Sequence, residues 1–146
     1  MYVASSWRND YQAAVVEILR DAGHSVYDFK NPPHGMGGFQ WSEIDPEWQT
    51  WTPEAYRNAL QHPIAKAGYQ SDYDAMMWAD TFVLVLPCGR SAHLELGWAA
   101  GAGKNTCILL DHESEPELMA KMADHIASDS NDVLRWLGHG VGQTTA

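Results

Sequence analysis

The sequence predicts a single α/β domain built on a parallel sheet of about five strands with helices on both faces. Short apolar, β-leaning runs alternate with segments of helical periodicity along the chain. The run Thr81 to Leu86 is apolar without interruption, as expected of a central parallel strand covered on both sides. From Ala79 to Lys104 the chain reads ADTFVLVLPCGRSAHLELGWAAGAGK, a buried strand, a polar loop and a helix with one acid near its start.

Taken in order, Met1 to Ala4 is a short strand and Ser5 to Asp10 a polar loop. Tyr11, Ala14, Val15, Ile18, Leu19 and Ala22 recur at helical spacing. Asn9 or Asp10 is placed to cap that helix, and Gly23 to end it in a left-handed conformation. Ser25 to Tyr27 resumes a strand. Asp28 to Thr50 breaks the alternation with Asn31-Pro32-Pro33, Gly35, Gly37-Gly38, Trp41 and Trp48, so an insertion is expected at about 29–51. Its tryptophans belong to a lid or interface, or simply pack the loop down. Thr52-Pro53-Glu54 is a helix start, with Thr as cap and Pro at the first helical position. His62-Pro63 restarts the helix, which runs to Trp78 with Tyr69, Tyr73, Met76 and Met77 on one apolar face.

After the strand Thr81 to Leu86, the expected elements are a helix over Ala92 to Ala102 and a strand over Thr106 to Leu110. A short helix over Glu115 to Met122, a small strand over His125 to Ala127 and a helix over Asn131 to Leu137, capped by Ser130, complete the set. The chain after Gly138 is expected to fray. No internal repeat or second domain is visible, so one domain over 1–146 is predicted. Right-handed crossovers in such a chain give a flavodoxin-like or Rossmann-like sheet.

Composition narrows the function. Hydrophobic residues make up 45% of the chain, which argues against a disordered protein. The formal net charge of −10 argues against a general binder of nucleic-acid backbone, while leaving room for a small phosphate ligand held by local arginines. The two cysteines, Cys88 and Cys107, do not form a disulfide framework and read as reduced thiols, Cys107 in the core and Cys88 lining a pocket. No apolar run is long enough to span a membrane, and the start of the chain has neither a basic nor an apolar leader region, so a cytoplasmic protein is expected. His112-Glu113-Ser114-Glu115 lacks metal-ligand spacing, and no metal or cofactor is expected.

Ligands of open parallel sheets bind beyond the carboxyl ends of the strands, where the strand order reverses. In a flavodoxin-like order the loops Ser5 to Asp10 and Pro87 to Ser91 meet at that point. Gly89-Arg90-Ser91 offers a flexible backbone, a guanidinium and a hydroxyl at a helix start, suited to a phosphate, a carboxylate or a sugar hydroxyl. Ser91 also reads as a plain helix cap. Glu95 falls about one turn into the helix, where the dipole favours an anion. Leu94, Leu96 and Trp98 flank it and are expected to lower the local dielectric. The alternative for Glu95 is a solvent-facing residue or a pair with Arg90 or Lys104. Asp72 is expected over the same pocket, with Asp74 facing elsewhere and Asp80 in a turn. His93 is either a partner of Glu95 or an ordinary helical histidine.

These residues resemble the nucleoside 2-deoxyribosyltransferase family and its nucleoside 5′-monophosphate N-glycosidase relatives. The likeness rests on Tyr2-Val3-Ala4-Ser5-Ser6, on Asp72 to Asp80 (DYDAMMWAD), and most specifically on Gly89 to Ala99 (GRSAHLELGWA). The resemblance implies that Glu95 attacks C1′ of the sugar and forms a covalent glycosyl-enzyme intermediate. It implies that Asp72 handles the departing base and that Tyr2 with Ser5, Ser6, Trp7 and Arg8 helps hold the sugar. Gly89, Arg90, Ser91 and His93 would meet its 5′ end. The chain departs from the family pattern at Ser5-Ser6-Trp7-Arg8, where Gly-Pro is common, and at Arg90-Ser91-Ala92-His93, where a Gly-rich loop is common. Arg8 and Arg90 favour a nucleotide over a nucleoside. The partner expected is therefore a small-molecule nucleoside or nucleotide, with neither nucleic-acid polymer nor membrane. The small-residue face of Gly97 and Gly101 predicts a homodimer or higher homo-oligomer.

Two other readings stay open. The segments YVASSWRNDYQAAVVEILRDAGHSV and ADTFVLVLPCGRSAHLELGWAAGAGK also resemble a TIR domain, which implies cleavage of NAD or a role in assembly. A non-catalytic nucleotide-binding module on the same fold is the third reading.

Overall fold

The computed structural model describes residues 1–35 and 37–138. The frayed tail expected after Gly138 lies outside the described residues. Strands β1 (Tyr2–Ala4), β2 (Tyr27–Asp28), β3 (Thr81–Val85), β4 (Asn105–Leu109) and β5 (His125–Ala127) form one sheet in the order β2-β1-β3-β4-β5. Every pairing is parallel. This is the flavodoxin-like order, with the reversal between β1 and β3. Helices α1 (Tyr11–Asp21), α2 (Pro53–Ala59), α3 (Pro63–Trp78), α4 (Arg90–Gly101) and α5 (Ser130–Gly138) alternate with them.

The chain divides into two compact units, Phe29–Trp78 and the sheet-bearing remainder. In the sheet unit, register decides which side chains share a face. Val3, Val83 and Cys107 lie in one row, and Tyr2, Phe82 and Thr106 in the next, facing the opposite way. The first face packs Val3, Val83, Val85, Cys107 and Leu109 against Val15, Val16 and Leu19 of α1 and Val133 of α5. Cys107 is fully buried there, as its apolar run predicts. The second face carries a row of rings. Tyr2 stacks between Tyr27 and Phe82 at centroid distances of 5.4 and 5.1 Å, and Phe82 reaches Trp98 of α4 at 6.2 Å. All five residues of β3 are buried, so both its faces are covered.

Helix ends follow local chemistry. Gly23 ends α1 at φ +92°, the left-handed position expected of it. The Thr52 side chain accepts a hydrogen bond from the Ala55 amide at 3.2 Å, with Pro53 opening α2, as predicted. Ser130 does not cap α5; it is that helix's first residue. The preceding Asp129 holds the cap instead, its Oδ1 accepting from the Asp132 amide at 2.8 Å. The segment around Glu115 to Met122 forms only a 3₁₀ turn, Leu118–Met122.

Phe29–Trp78 is a unit because its loop is tied to its helices by rings. Trp41 packs edge-on against Phe39 (4.7 Å), Trp51 (5.5 Å) and Tyr56 of α2 (5.8 Å). The Trp51 indole donates to Asp45 Oδ2 at 2.7 Å. The Glu47 amide and this indole hold the Asp45 carboxyl below the usual range. Phe39 lies on Gly68 of α3, so the tryptophan-rich stretch and α3 share one packed body. The apolar face predicted for α3 divides: Met76 is buried, while Tyr69 and Met77 are exposed. Tyr69 instead stacks along the helix surface on Tyr73, with centroids 5.6 Å apart.

Unfolding in urea and hydrogen exchange check these elements. A Cβ at Gly68 would stand 2.7 Å from Phe39 Cβ, so Gly68→Ala is expected to destabilise the protein by roughly 1–3 kcal/mol in urea unfolding. A Cβ at Gly97 of α4 would meet nothing within 4 Å, so Gly97→Ala is expected to stabilise by about 0.5–1 kcal/mol through helix propensity. The second concerns Asp132, whose carboxyl is held below the usual range first by the Ser128 amide and then by His125 and Arg135. A depressed carboxyl contributes stability that is complete above its unfolded value and lost as pH falls through its folded value. The stability difference between wild type and Asp132→Asn is therefore expected to shrink on acid titration, read by hydrogen exchange in α5.

Candidate active site at the carboxyl end of the sheet

Strand β1 stops at Ala4, while β3 runs on to Val85 and the chain continues through Leu86 and Pro87. β1 pairs with β3 only as far as Ala4↔Leu84, and beyond it the loop after β1 supplies side chains to β3. Ser5 Oγ donates to the Val85 carbonyl at 2.8 Å. Asn9 Nδ2 lies 3.1 Å from Ser5 Oγ, 3.3 Å from Val85 O and 3.2 Å from Pro87 O. Asn9 Oδ1 accepts from the Tyr11 amide at 3.0 Å. Asn9 is 6% exposed. The Ser6 hydroxyl accepts from the Arg8 amide at 3.2 Å, and the Trp7 and Arg8 side chains are exposed. Next to this loop Gln12 is fully buried and donates to Asp28 Oδ1 at 3.0 Å, while its own Oε1 has no partner among the described residues.

The second wall is Pro87 to Glu95. Helix α4 begins at Arg90, two residues before the expected start, with Gly89 in the cap position. Ser91 is therefore the second residue of the helix and not its cap. With glycine as cap, the leading N–H groups of α4 receive no cap side chain. Arg90, Ser91 and His93 are exposed. His93 Nδ1 lies 3.0 Å from the Gly89 carbonyl and 3.5 Å from Cys88 Sγ. The Gly89 carbonyl can only accept, so that contact requires a proton on Nδ1, whereas the Cys88 thiol can donate to an unprotonated Nδ1.

Glu95 is half-buried on α4. Burial, and then the Glu95 charge, push the Cys88 thiol up to about 11. The carboxylate thus stands near the loop that opens α4, beyond the end of β3. Leu94, expected to lower the dielectric around Glu95, is 75% exposed. Successive helical residues point about 100° apart, so the solvent side falls to Leu94 and the sheet side to Leu96, which is buried.

Among the sequence-predicted residues, Ser5, Ser6, Trp7, Arg8, Gly89, Arg90, Ser91, His93 and Glu95 share the two loops and the helix at this end of the sheet unit. Tyr2 is fully buried in the ring stack of β1. Asp72 belongs to the other unit, half-buried on α3 with Tyr69 and Met76 at helical spacing on its side. Asp74 is exposed and accepts from Gln70 Nε2 at 2.6 Å. Asp80 sits between α3 and β3, its carbonyl accepting from the Asn105 amide at 3.0 Å. Asn9 was readable from sequence only as a helix cap. Its role across the sheet depends on β1 ending before β3, which no local pattern encodes.

Among the described residues no group of three His, Cys, Asp or Glu side chains is arranged for a metal ion, and no helix is long and apolar enough to cross a membrane. No protein-family model and no curated protein sequence matches the chain. Solved structures similar to the chain include two enzymes. One is a 2-deoxyribosyltransferase from the psychrotolerant bacterium Bacillus psychrosaccharolyticus, 21% identical over 90% of this chain and 88% of that one, with a TM-score of 0.57. The other is a CMP N-glycosidase of Clostridium botulinum, 17% identical over 94% and 96%, with a TM-score of 0.51. At these identities the likeness establishes the shared fold.

With its thiol near 11, Cys88 is thiolate at only about one part in a thousand near pH 8, so alkylation by iodoacetamide is expected to be slow. Glu95→Gln removes the nearby charge and is expected to speed it several-fold, less than exposing the thiol would. Peptide mapping separates this signal from Cys107, whose thiol is pushed to about 12. An unchanged rate would mean that the carboxylate does not stand near the thiol.

Proposed function

We propose that this chain cleaves, or transfers at, the N-glycosidic bond of a nucleoside or nucleotide. Glu95 is the nucleophile. The observation that carries this reading is the placement of a half-buried carboxylate on α4, beyond the carboxyl end of β3 at the reversal of strand order. The likeness in fold to a 2-deoxyribosyltransferase and a CMP N-glycosidase supports the reaction class.

In the first step a Glu95 oxygen bonds to C1′ as the C1′–N bond breaks, and the electron pair goes to the base nitrogen. Asp72, protonated beforehand, gives that nitrogen its proton. In the second step water attacks C1′, the glycosyl ester opens to regenerate the Glu95 carboxylate, and the proton of the water returns to Asp72. With an acceptor base in place of water, its ring nitrogen bonds to C1′ as the Glu95 ester opens, and its proton goes to Asp72. Side chains supply both nucleophile and proton, so no cofactor is needed. Arg8 and Arg90 are exposed, and the start of α4 has no cap side chain, which together favour an anion locally in a chain of net charge −10. A nucleoside 5′-monophosphate is therefore the preferred substrate.

The test is a panel of nucleosides, nucleoside monophosphates and NAD, with and without an acceptor base, followed by chromatography of the free base. Monophosphates are expected to turn over fastest. Glu95→Ala is expected to lower kcat on the order of a thousandfold or more, and Asp72→Asn by roughly a hundredfold or more. Full activity in Glu95→Ala would remove this mechanism, and release of nicotinamide from NAD alone would favour the TIR-like reading.

A further inference from the structure

Asn9 is nearly inaccessible to solvent, yet it sits between the two loops that carry the candidate site. Its amide nitrogen is shared among Ser5 Oγ, Val85 O and Pro87 O, and its amide oxygen takes the Tyr11 N–H. Its backbone is also engaged, the amide donating to the Ser6 carbonyl at 3.1 Å. Four pieces of chain thus meet on one side chain: the loop after β1, the end of β3, the approach to α4 and the first turn of α1. The need arises because β1 is shorter than β3. Past the last pairing with β1, the Val85 carbonyl takes Ser5 Oγ and Asn9 Nδ2, and the Pro87 carbonyl takes Asn9 Nδ2. A neutral amide side chain supplies both the donors and the acceptor used here. An aspartate would face two carbonyl oxygens with a negative charge.

We infer that Asn9 is a positioning residue for Glu95, acting through Pro87 and the Cys88-Gly89 approach to α4. The inference rests on the reading of Glu95 as nucleophile. By holding Pro87, Asn9 sets where Cys88 and Gly89 lie and hence where α4 starts. By holding Ser5 and Tyr11, it keeps the Ser6-Trp7-Arg8 loop at a constant spacing from that start. A nucleophile placed an ångström off loses rate on the order of a hundredfold, with little change in binding. Asn9 touches no substrate in this scheme.

The experiment compares wild type, Asn9→Ser, Asn9→Ala and Asn9→Asp, each checked by circular dichroism. One readout is kcat against KM for base release from a nucleoside monophosphate. The other is the pH profile of Cys88 alkylation, which needs no turnover. Loss of the clip frees the Cys88 loop, so the thiol should fall from about 11 toward its ordinary value. Its alkylation near pH 8 should then rise tenfold or more. The expected order of effect is Asn9→Ser, then Asn9→Ala, then Asn9→Asp, with kcat falling on the order of a hundredfold in Asn9→Ala and KM within about threefold of wild type. A wild-type thiol profile in folded Asn9→Ala overturns the inference. So does a shifted thiol with unchanged kcat. Should the Ala and Asp variants unfold, Asn9→Ser decides by the same two readouts. If wild type turns over no substrate, the proposed reaction fails, while the thiol profile still decides whether Asn9 holds the loop.

Discussion

Strand β3 sets the terms for the rest of the molecule. Its five residues are all buried, and it is paired on both edges, by β1 and β4. A strand of that kind exists only if both faces of its sheet are covered. One face is covered by α1 and α5 through a continuous aliphatic core, and the other bears α4 and the ring row of Tyr2, Tyr27 and Phe82. The chain leaving β3 turns over the sheet's carboxyl end to reach α4, and the candidate site lies at that turn.

That turn is where apolar packing gives way to polar chemistry. Pro87 cannot donate a hydrogen bond, Gly89 cannot cap a helix with a side chain, and β1 has already ended. Ser5 and Asn9, from the loop after β1, donate instead to the Val85 and Pro87 carbonyls, and the amides that open α4 stay uncapped. The same geometry brings Glu95 near a thiol whose pKa reports its charge, and leaves Arg8, Arg90 and the leading amides of α4 open to an anion. The reaction proposed for Glu95 draws on the arrangement that terminates β3.

The second unit answers to a different interaction. Trp41, Phe39, Trp51 and Tyr56 make edge-on contacts that hold an otherwise irregular stretch, and Phe39 ties it to α3 at Gly68. This is the helix that carries Asp72. A segment read from sequence as an insertion is therefore packed together with a residue proposed for chemistry.

Local chemistry determined much of this. The uninterrupted apolar run gave β3, helical spacing gave α1, Gly23 its left-handed turn, and Thr52-Pro53 the start of α2, because each depends on neighbours within a turn or a strand. The Glu95 motif was legible for the same reason, as a short strand-loop-helix signature. Tertiary structure alone decided the rest. That Gly89 and not Ser91 holds the cap of α4, that Leu94 faces solvent, and that Met76 is buried while Tyr69 on the same side of α3 is exposed depend on contacts distant in sequence. Asn9 is the clearest case: in the sequence it is a polar residue before a helix. It becomes a clip only because two strands distant in sequence lie side by side and end at different heights, so that carbonyls of one need donors from the loop of the other.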